Sequence, residues 1–204
     1  MRSLALLLLL FPVLATAQAK PVDPRVSRAD LARIEGQATA KHWILIVSDF
    51  QCPYCKEFHD KTAALVRKEF VQPGTARLAY IHFPLRIHPN AVPAAEASMC
   101  AGAQGKFWPF HDKLFATQQR WAGDAAPDAF YKTVAKELGL AMPEFEQCLR
   151  DDVMLPMINA DYQRGVQVGV NSTPTILVDN IRLDGNAPIE SIRRAMKQAM
   201  APKK

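Results

Sequence analysis

The sequence predicts one α/β domain, with a strand–helix–strand half and a strand–strand–helix half separated by a helical insertion over about residues 90–168. Three observations carry this. The short, wholly apolar run Trp43-Ile44-Leu45-Ile46-Val47 is followed by a proline-initiated helical stretch and then by a second strand-like run at residues 77–83. From about residue 90 the chain reads as helix almost without interruption. Finally, Thr175-Ile176-Leu177-Val178 and Ile181-Arg182-Leu183 flank an Asp-Asn turn and lead into an amphipathic helix. Strand, helix, strand in that order marks a parallel α/β unit.

The first element is a targeting signal. Arg2 precedes an apolar run of eleven residues, Leu4 to Leu14, that ends in Ala15-Thr16-Ala17. A basic start, a short apolar stretch and a small-x-small site make residues 1–17 a cleavable signal peptide. The run falls short of the roughly 20 apolar residues that span a bilayer. Cleavage is expected after Ala17, with Ala17-Gln18-Ala19 as a second site, leaving residues 18–204 as one domain with a sizeable core. The loss of Arg2 leaves 24 basic against 20 acidic residues, a mild excess spread along the chain. Nothing in that distribution supports nucleic-acid binding.

Residues 20–25 carry two prolines and read as an extended lead, after which Ser27 is expected to cap a short helix through Glu35, stopped by Gly36. Residues 43–47, apolar at every position and rich in β-branched side chains, predict a strand buried on both faces. Pro53 suits a first helical turn, where its missing N–H is no loss. Behind it Phe58, Thr62, Leu65, Val66 and Phe70 fall near one helical face until Pro73-Gly74. The insertion divides into helices over residues 91–103, 107–119, 128–138 and 143–166, with Pro156 as a break in the last. Ile189, Ile192, Met196 and Met200 share one face of the terminal helix.

The four cysteines carry the chemistry. In an exported chain pairing is the default state of thiols. Cys52 and Cys55 are three apart, whereas Cys100 and Cys148 stand singly on insertion helices, where buried free thiols and a structural bridge are both open readings. Cys52 precedes Pro53, at the helix start, where unpaired N–H groups and the helix dipole favour an anion. Cys55 shares the face of Phe58 and Thr62 and is expected to be shielded. The pair is therefore asymmetric: Cys52 is expected to be the accessible attacking and leaving sulfur, and Cys55 to resolve the mixed disulfide. A C-x-x-C pair is also half of a zinc site, but two more ligands at suitable spacing are missing, and His59 supplies only one. The histidines show no metal-ligand spacing, and neither metal nor cofactor is expected. Met154 and Met157 read as core, as do Phe110, Phe115 and Trp121, and His111 as a packing or helix-end residue.

Ser48-Asp49-Phe50-Gln51-Cys52-Pro53-Tyr54-Cys55-Lys56 resembles the active-site segment of the DsbA-like branch of the thioredoxin superfamily. Further matches lie in His88-Pro89-Asn90-Ala91, Gln104-Gly105-Lys106-Phe107-Trp108 and Val170-Asn171-Ser172-Thr173-Pro174-Thr175, in the expected order from about Arg28 to the C-terminus. The resemblance implies a thioredoxin-like fold and thiol–disulfide exchange through a redox-active Cys52–Cys55 disulfide. It also implies a cis Thr173–Pro174 bond presenting the Thr173 backbone to substrate, and redox tuning by Pro53 and Tyr54. For Cys100 and Cys148 it implies a structural disulfide. Its implied partners are cysteine-containing polypeptides and a membrane redox protein, oxidase or reductase, in the periplasm. One departure is specific: the family's acidic residue six positions before the nucleophile is Ile46 here, and Asp49 lies elsewhere on the strand end. Only about 25 residues separate the signal from the first strand, so a monomeric dithiol oxidase is expected ahead of an isomerase or reductase. A non-enzymatic chaperone or Cu(I)-binding module is the competing class.

Overall fold

The computed structural model describes residues 22–202, so the signal segment 1–17, the second cleavage site and the Lys203-Lys204 tail lie outside the described residues. The first helix, α1 (Pro24–Ala32), starts three residues before Ser27. Asp23 caps it by accepting from the Arg25 N–H, and Pro24 takes the first helical position. This Asp-Pro pair outcompetes the expected serine cap. The helix also stops early, because Ile34–Glu35 form a short strand, β1, rather than a last helical turn. Gly36 then turns the chain at φ +105°, where an added Cβ would meet the Ala76 carbonyl oxygen at 2.9 Å. Only glycine fits that approach.

The sheet is completed by β2 (His42–Ser48), β3 (Ala76–His82), β4 (Thr175–Val178) and β5 (Ile181–Asp184). Its order is β1-β3-β2-β4-β5, with β2 and β3 parallel and every other pairing antiparallel. Register places Ile46 between Tyr80 on β3 and Ile176 on β4. Alternation divides the sheet between two apolar clusters. Ile44, Ile46, Leu78, Tyr80, Ile176 and Val178 face the main core. Val47, with Ile81 and Leu177 at its edge, belongs to a smaller cluster completed by Phe83, Val170 and Tyr162. The second face of β2 is covered less fully than the apolar run suggests. Trp43 and Leu45 are only partly buried, and the Arg77 guanidinium lies 4.4 Å above the Trp43 ring.

Residues 53–71 form one helical segment, α2, in which α-helical Pro53–Phe58 and Ala64–Val66 alternate with wider π turns at His59–Ala63 and Arg67–Val71. The wider turns rotate the buried stripe, which runs through Cys55, Phe58, Thr62, Ala63, Val66 and Val71, leaving Leu65 and Phe70 only partly buried. The insertion holds α3 (Ala91–Gly102), α4 (Phe107–Ala116), α5 (Asp128–Glu137), α6 (Met142–Arg150) and α7 (Leu155–Gln167). The last expected helix is thus two. The break falls at residues 151–154, and Pro156 sits in the first turn of α7, where its ring does no harm. A disulfide joins Cys100 on α3 to Cys148 on α6. After β5 the chain ends in α8 (Ile189–Ala199), which buries Ile189, Ile192, Ala195 and Met196.

A buried ion pair ties these parts together. Arg33, at the end of α1, donates to the Asp161 carboxylate of α7 and, at 3.1 Å, to the Tyr80 carbonyl. Asp161 also accepts the His82 N–H of β3 at 3.2 Å. One ion pair therefore joins the first helix, the sheet and the last insertion helix. Removing one partner of a buried pair strands the other, which typically costs about 3–5 kcal/mol. Asp161→Ala is expected to lose about that much in chemical denaturation, whereas a loss below about 1 kcal/mol, as for an exposed pair, would disprove the linchpin role.

Glu96 on α3 is the opposite case. It is 9% exposed, its Oε1 has no partner, and burial together with Asp152 and Asp128 raises its pKa to about 7. The folded state then holds this proton more tightly than the unfolded state, so stability falls as pH climbs from about 4.5 to about 7. Glu96→Gln is expected to stabilise the protein by about 1–2 kcal/mol at pH 8, allowing for solvent screening, and to change nothing at pH 4.5. An equal gain at both pH values would show that ionisation is not the cause.

Candidate active site

The site forms where β2 ends and α2 begins, beside the loop that enters β4. Pairing of β2 with β4 sets Val47 opposite Thr175, which brings residues 172–174 alongside the first turn of α2. Cys52 is the N-cap residue, with extended backbone (φ −69°, ψ 126°), and Pro53 takes the first helical position. The Thr173–Pro174 peptide is cis, and the Thr173 carbonyl lies 3.4 Å from the Cys52 sulfur. The sequence-derived residues Cys52, Pro53, Tyr54, Cys55, Thr173 and Pro174 are thus one cluster, while Cys100 and Cys148 sit apart in the insertion. Tyr54 is 62% exposed on the outer side of the turn.

The two sulfurs are unbonded to each other, and their environments pull them apart. The Cys52 thiol is held down at about 6, chiefly by the hydrogen bond that Cys55 donates to its anion. The Thr173 hydroxyl and the backbone N–H groups of Cys55 and Tyr54 add to this, against the cost of burial. Thr173 Oγ1 has no other partner, which leaves it available for that role. Burial drives Cys55 the other way, well above an ordinary thiol, and a Cys52 anion nearby reinforces the shift. Its only local relief is from the Ser48 hydroxyl and the Asp49 N–H, the latter 3.5 Å from the sulfur. The expected openness of Cys52 needs correction, because the residue is only 3% exposed.

Side chains from the insertion hold the turn in place. Gln118 donates from Nε2 to the Phe50 carbonyl at 2.7 Å and the Cys52 carbonyl at 3.0 Å. Gln51 accepts the Asn90 N–H at 2.7 Å and donates to the Ala122 carbonyl at 2.7 Å. Asn90 donates to the carbonyls of Trp121, Ala122 and Asp124. Asp49, a possible stand-in for the acid missing at Ile46, is committed elsewhere. Its carboxylate accepts from the N–H groups of Gln51 and Leu85 and lies 2.7 Å from His88 Nδ1. Ile46 itself is core, 4% exposed.

Gln118 had no sequence signal, since its contacts span more than sixty residues, whereas Asn90 was at hand in the His88–Ala91 motif. The structure brings two of the histidines together with an acid that lies far from one of them in sequence. His59, His111 and Asp112 bring one ligand atom each within 4.8 Å of one another. A single oxygen, Asp112 Oδ1, lies 2.8 Å from His111, 3.3 Å from His59 and 3.3 Å from Arg67. With a guanidinium already on the shared oxygen, this is a hydrogen-bonded net around one carboxylate rather than an open ligand set. Of the two readings of His111, packing holds and helix end does not: it is buried in the middle of α4 against Phe50, Tyr80, Trp108 and Phe115. Phe110, Phe115, Trp121 and Met154 are all buried.

A family model described as thioredoxin matches residues 30–198. Oxidised BdbD from Bacillus subtilis superposes with a TM-score of 0.73 at 20% identity, covering 81% of this chain and 91% of that one. Wolbachia pipientis alpha-DsbA1 gives 0.71 at 18% identity over 81% and 89% of the two chains. Chlamydia trachomatis DsbA gives 0.70 at 20% identity over 82% and 90%. At these identities the likeness is one of fold. Curated relatives include proteins named Na(+)/H(+) antiporter NhaA 3, from Salinispora tropica, and Na(+)/H(+) antiporter NhaA 1, from Salinispora arenicola. They are 32% and 33% identical over 182 residues, which is 89% of this chain and 26% of each relative. The chain thus spans about a quarter of the length of these relatives. No described helix is long and apolar enough to cross a membrane.

The split between the sulfurs is directly measurable. Alkylation of the reduced protein is expected to label Cys52 with a pH midpoint near 6, while Cys55 stays unlabelled until strongly alkaline pH. A Cys52 midpoint at the ordinary thiol value of about 8.5 would show that neither Cys55 nor the helix start stabilises the anion.

Proposed function

The chain belongs to the thioredoxin family, and from that premise we propose that it is an exported thiol–disulfide oxidoreductase acting on cysteine-containing polypeptides, most readily as a dithiol oxidase. The observation that carries this reading is the placement of Cys52 at the N-cap of α2 with Cys55 buried one turn further in, which sets their ionisation in opposite senses.

In the oxidising direction a substrate thiolate attacks the Cys52 sulfur of the Cys52–Cys55 disulfide. The bonding pair leaves with Cys55, which takes up a proton. A second substrate thiol, deprotonated, attacks the substrate sulfur of the mixed disulfide and expels Cys52 as the thiolate. The substrate loses two electrons and two protons, and the enzyme's disulfide gains both electrons. Cys52 is the better leaving group because its anion is stabilised, and Thr173 beside cis-Pro174 offers its backbone to an extended substrate strand. Each pKa unit by which Cys52 is lowered stabilises the reduced form by about 1.4 kcal/mol, or about 30 mV for the two-electron couple. That favours oxidation of substrates over their reduction. A membrane redox partner would reset the disulfide, the protein would work as a monomer in the periplasm after loss of residues 1–17, and Cys100–Cys148 would be structural.

Equilibration with glutathione buffers is expected to give a potential more oxidising than the roughly −270 mV of thioredoxin, and Cys52→Ala to abolish oxidative refolding of a reduced substrate. A potential below that value would remove the oxidase direction. Refolding assistance that survives Cys52→Ala would point instead to a chaperone or Cu(I)-binding module.

A further inference from the structure

Cys55 is 2% exposed, yet the reaction above requires its sulfur to gain a proton on leaving and to lose one before it attacks. Its proton has no direct path to bulk water. Beneath the sulfur the fold leaves a cavity of about 10 Å³, at the lower bound of the space that one water fills. Cys55, Ser48, Tyr80, Trp108, His59 and His111 all contribute to its walls. Two of these residues carry buried polar atoms without a hydrogen-bond partner, Tyr80 Oη and Trp108 Nε1. Buried polar groups are almost always satisfied, so two orphans around one small void point to a water-binding site. A buried water needs two to four such partners.

The same cavity has a way out. His111 Nδ1 lies 2.8 Å from Asp112 Oδ1. Hydrogen bonding to a carboxylate places the ring hydrogen on Nδ1 and leaves Nε2 as the acceptor. Side-chain exposure rises from 4% at His111 to 17% at His59 and 45% at Asp112. The groups facing the imidazole are Asp112 on its own helix, His59 and Arg67 from α2, and Tyr80 and His82 from β3. Burial, with Arg67 and His59 acting in the same sense, outweighs Asp112 and keeps the ring neutral at neutral pH, its pKa about 4.

We propose that the cavity under Cys55 holds one water that passes the Cys55 proton to and from His111, which exchanges it with solvent through Asp112 and His59. The inference rests on the dithiol–disulfide reading and supplies the proton route which that reading leaves open. When Cys55 attacks a mixed disulfide at Cys52, its S–H bond breaks and the proton moves through the water to His111 Nε2. The sulfur's electron pair forms the Cys52–Cys55 bond, and the bond to the departing thiolate breaks. The imidazolium, held by Asp112, discharges its proton to solvent. When Cys55 leaves as an anion, the same transfers run backwards. Ser48 and Tyr80 position the water, and His111 is a positioning and relay residue that does not touch substrate.

The test uses the full reduced protein and an aromatic disulfide whose released thiolate absorbs visible light. The first thiolate released reports attack by Cys52, and the second reports resolution by Cys55. His111→Phe is expected to leave the first phase unchanged and to slow the second at neutral pH by about a hundredfold, the low end of what a positioned proton-transfer group contributes. The second phase should recover in alkaline buffer, where hydroxide replaces the relay. Added imidazole should rescue His111→Gly and leave wild type unaffected. If the phenylalanine variant does not fold, Asp112→Asn at the half-exposed end of the route decides, with the same selective slowing expected. A second phase that is unchanged, or slowed in step with the first at every pH, overturns the relay. Wild-type protein that releases only the first thiolate overturns the dithiol reading itself.

Discussion

The amide of Gln118 donates to two carbonyls of the turn that carries the working sulfurs, and much of the site's geometry depends on that grip. Residues 49–52 must leave a buried strand and begin a helix within four positions. They have few hydrogen bonds of their own, chiefly Cys52 N–H to the Asp49 carbonyl and Lys56 N–H to the Cys52 carbonyl. The insertion supplies the rest through Gln118, Asn90 and the Gln51 amide. Held in this way, the turn keeps the N–H groups of Tyr54 and Cys55 aimed at one sulfur while the next helical turn carries the other inward.

How much of this could be read from the chain depends on the range of each interaction. The apolar run at 43–47 and Pro53 are local signals, and both placed their elements within a residue or so. The Asp23-Pro24 start was equally local but lay inside a stretch that prolines made look extended. The strand β1 is only two residues long and exists because β3 is there to pair with it, so no periodicity could reveal it. The π turns of α2 are a tertiary effect that shifts burial away from Leu65 and Phe70. Within the site, the cysteines and Pro174 lie in short recognisable motifs. Gln118 and the pairing of His59 with Asp112 join parts of the chain more than fifty residues apart, and the residues themselves give no hint of it.

Burial is used in two ways around the central strand. Asp161 and Asp49 are buried carboxylates with every approach occupied by donors, so their desolvation is offset by bonds that also fix β3, α7 and the active-site loop. Among the described residues, Arg77, Tyr80, His82, Glu96, Trp108 and Thr173 keep a buried polar atom without a partner within the protein. Unsatisfied atoms cost stability, and three of these six residues, Tyr80, Trp108 and Thr173, lie beside the two sulfurs.

The bridge between α3 and α6 has a further implication. It belts together the helical layer whose Asn90 and Gln118 grip the sulfur-bearing turn. Two hydrogen bonds between Gln104 and Ala141 run beside the bridge, so the layer is held by a covalent and a polar link together. The layer that steadies the proposed reactive pair is thereby itself fastened by a bond of the kind that pair is proposed to trade.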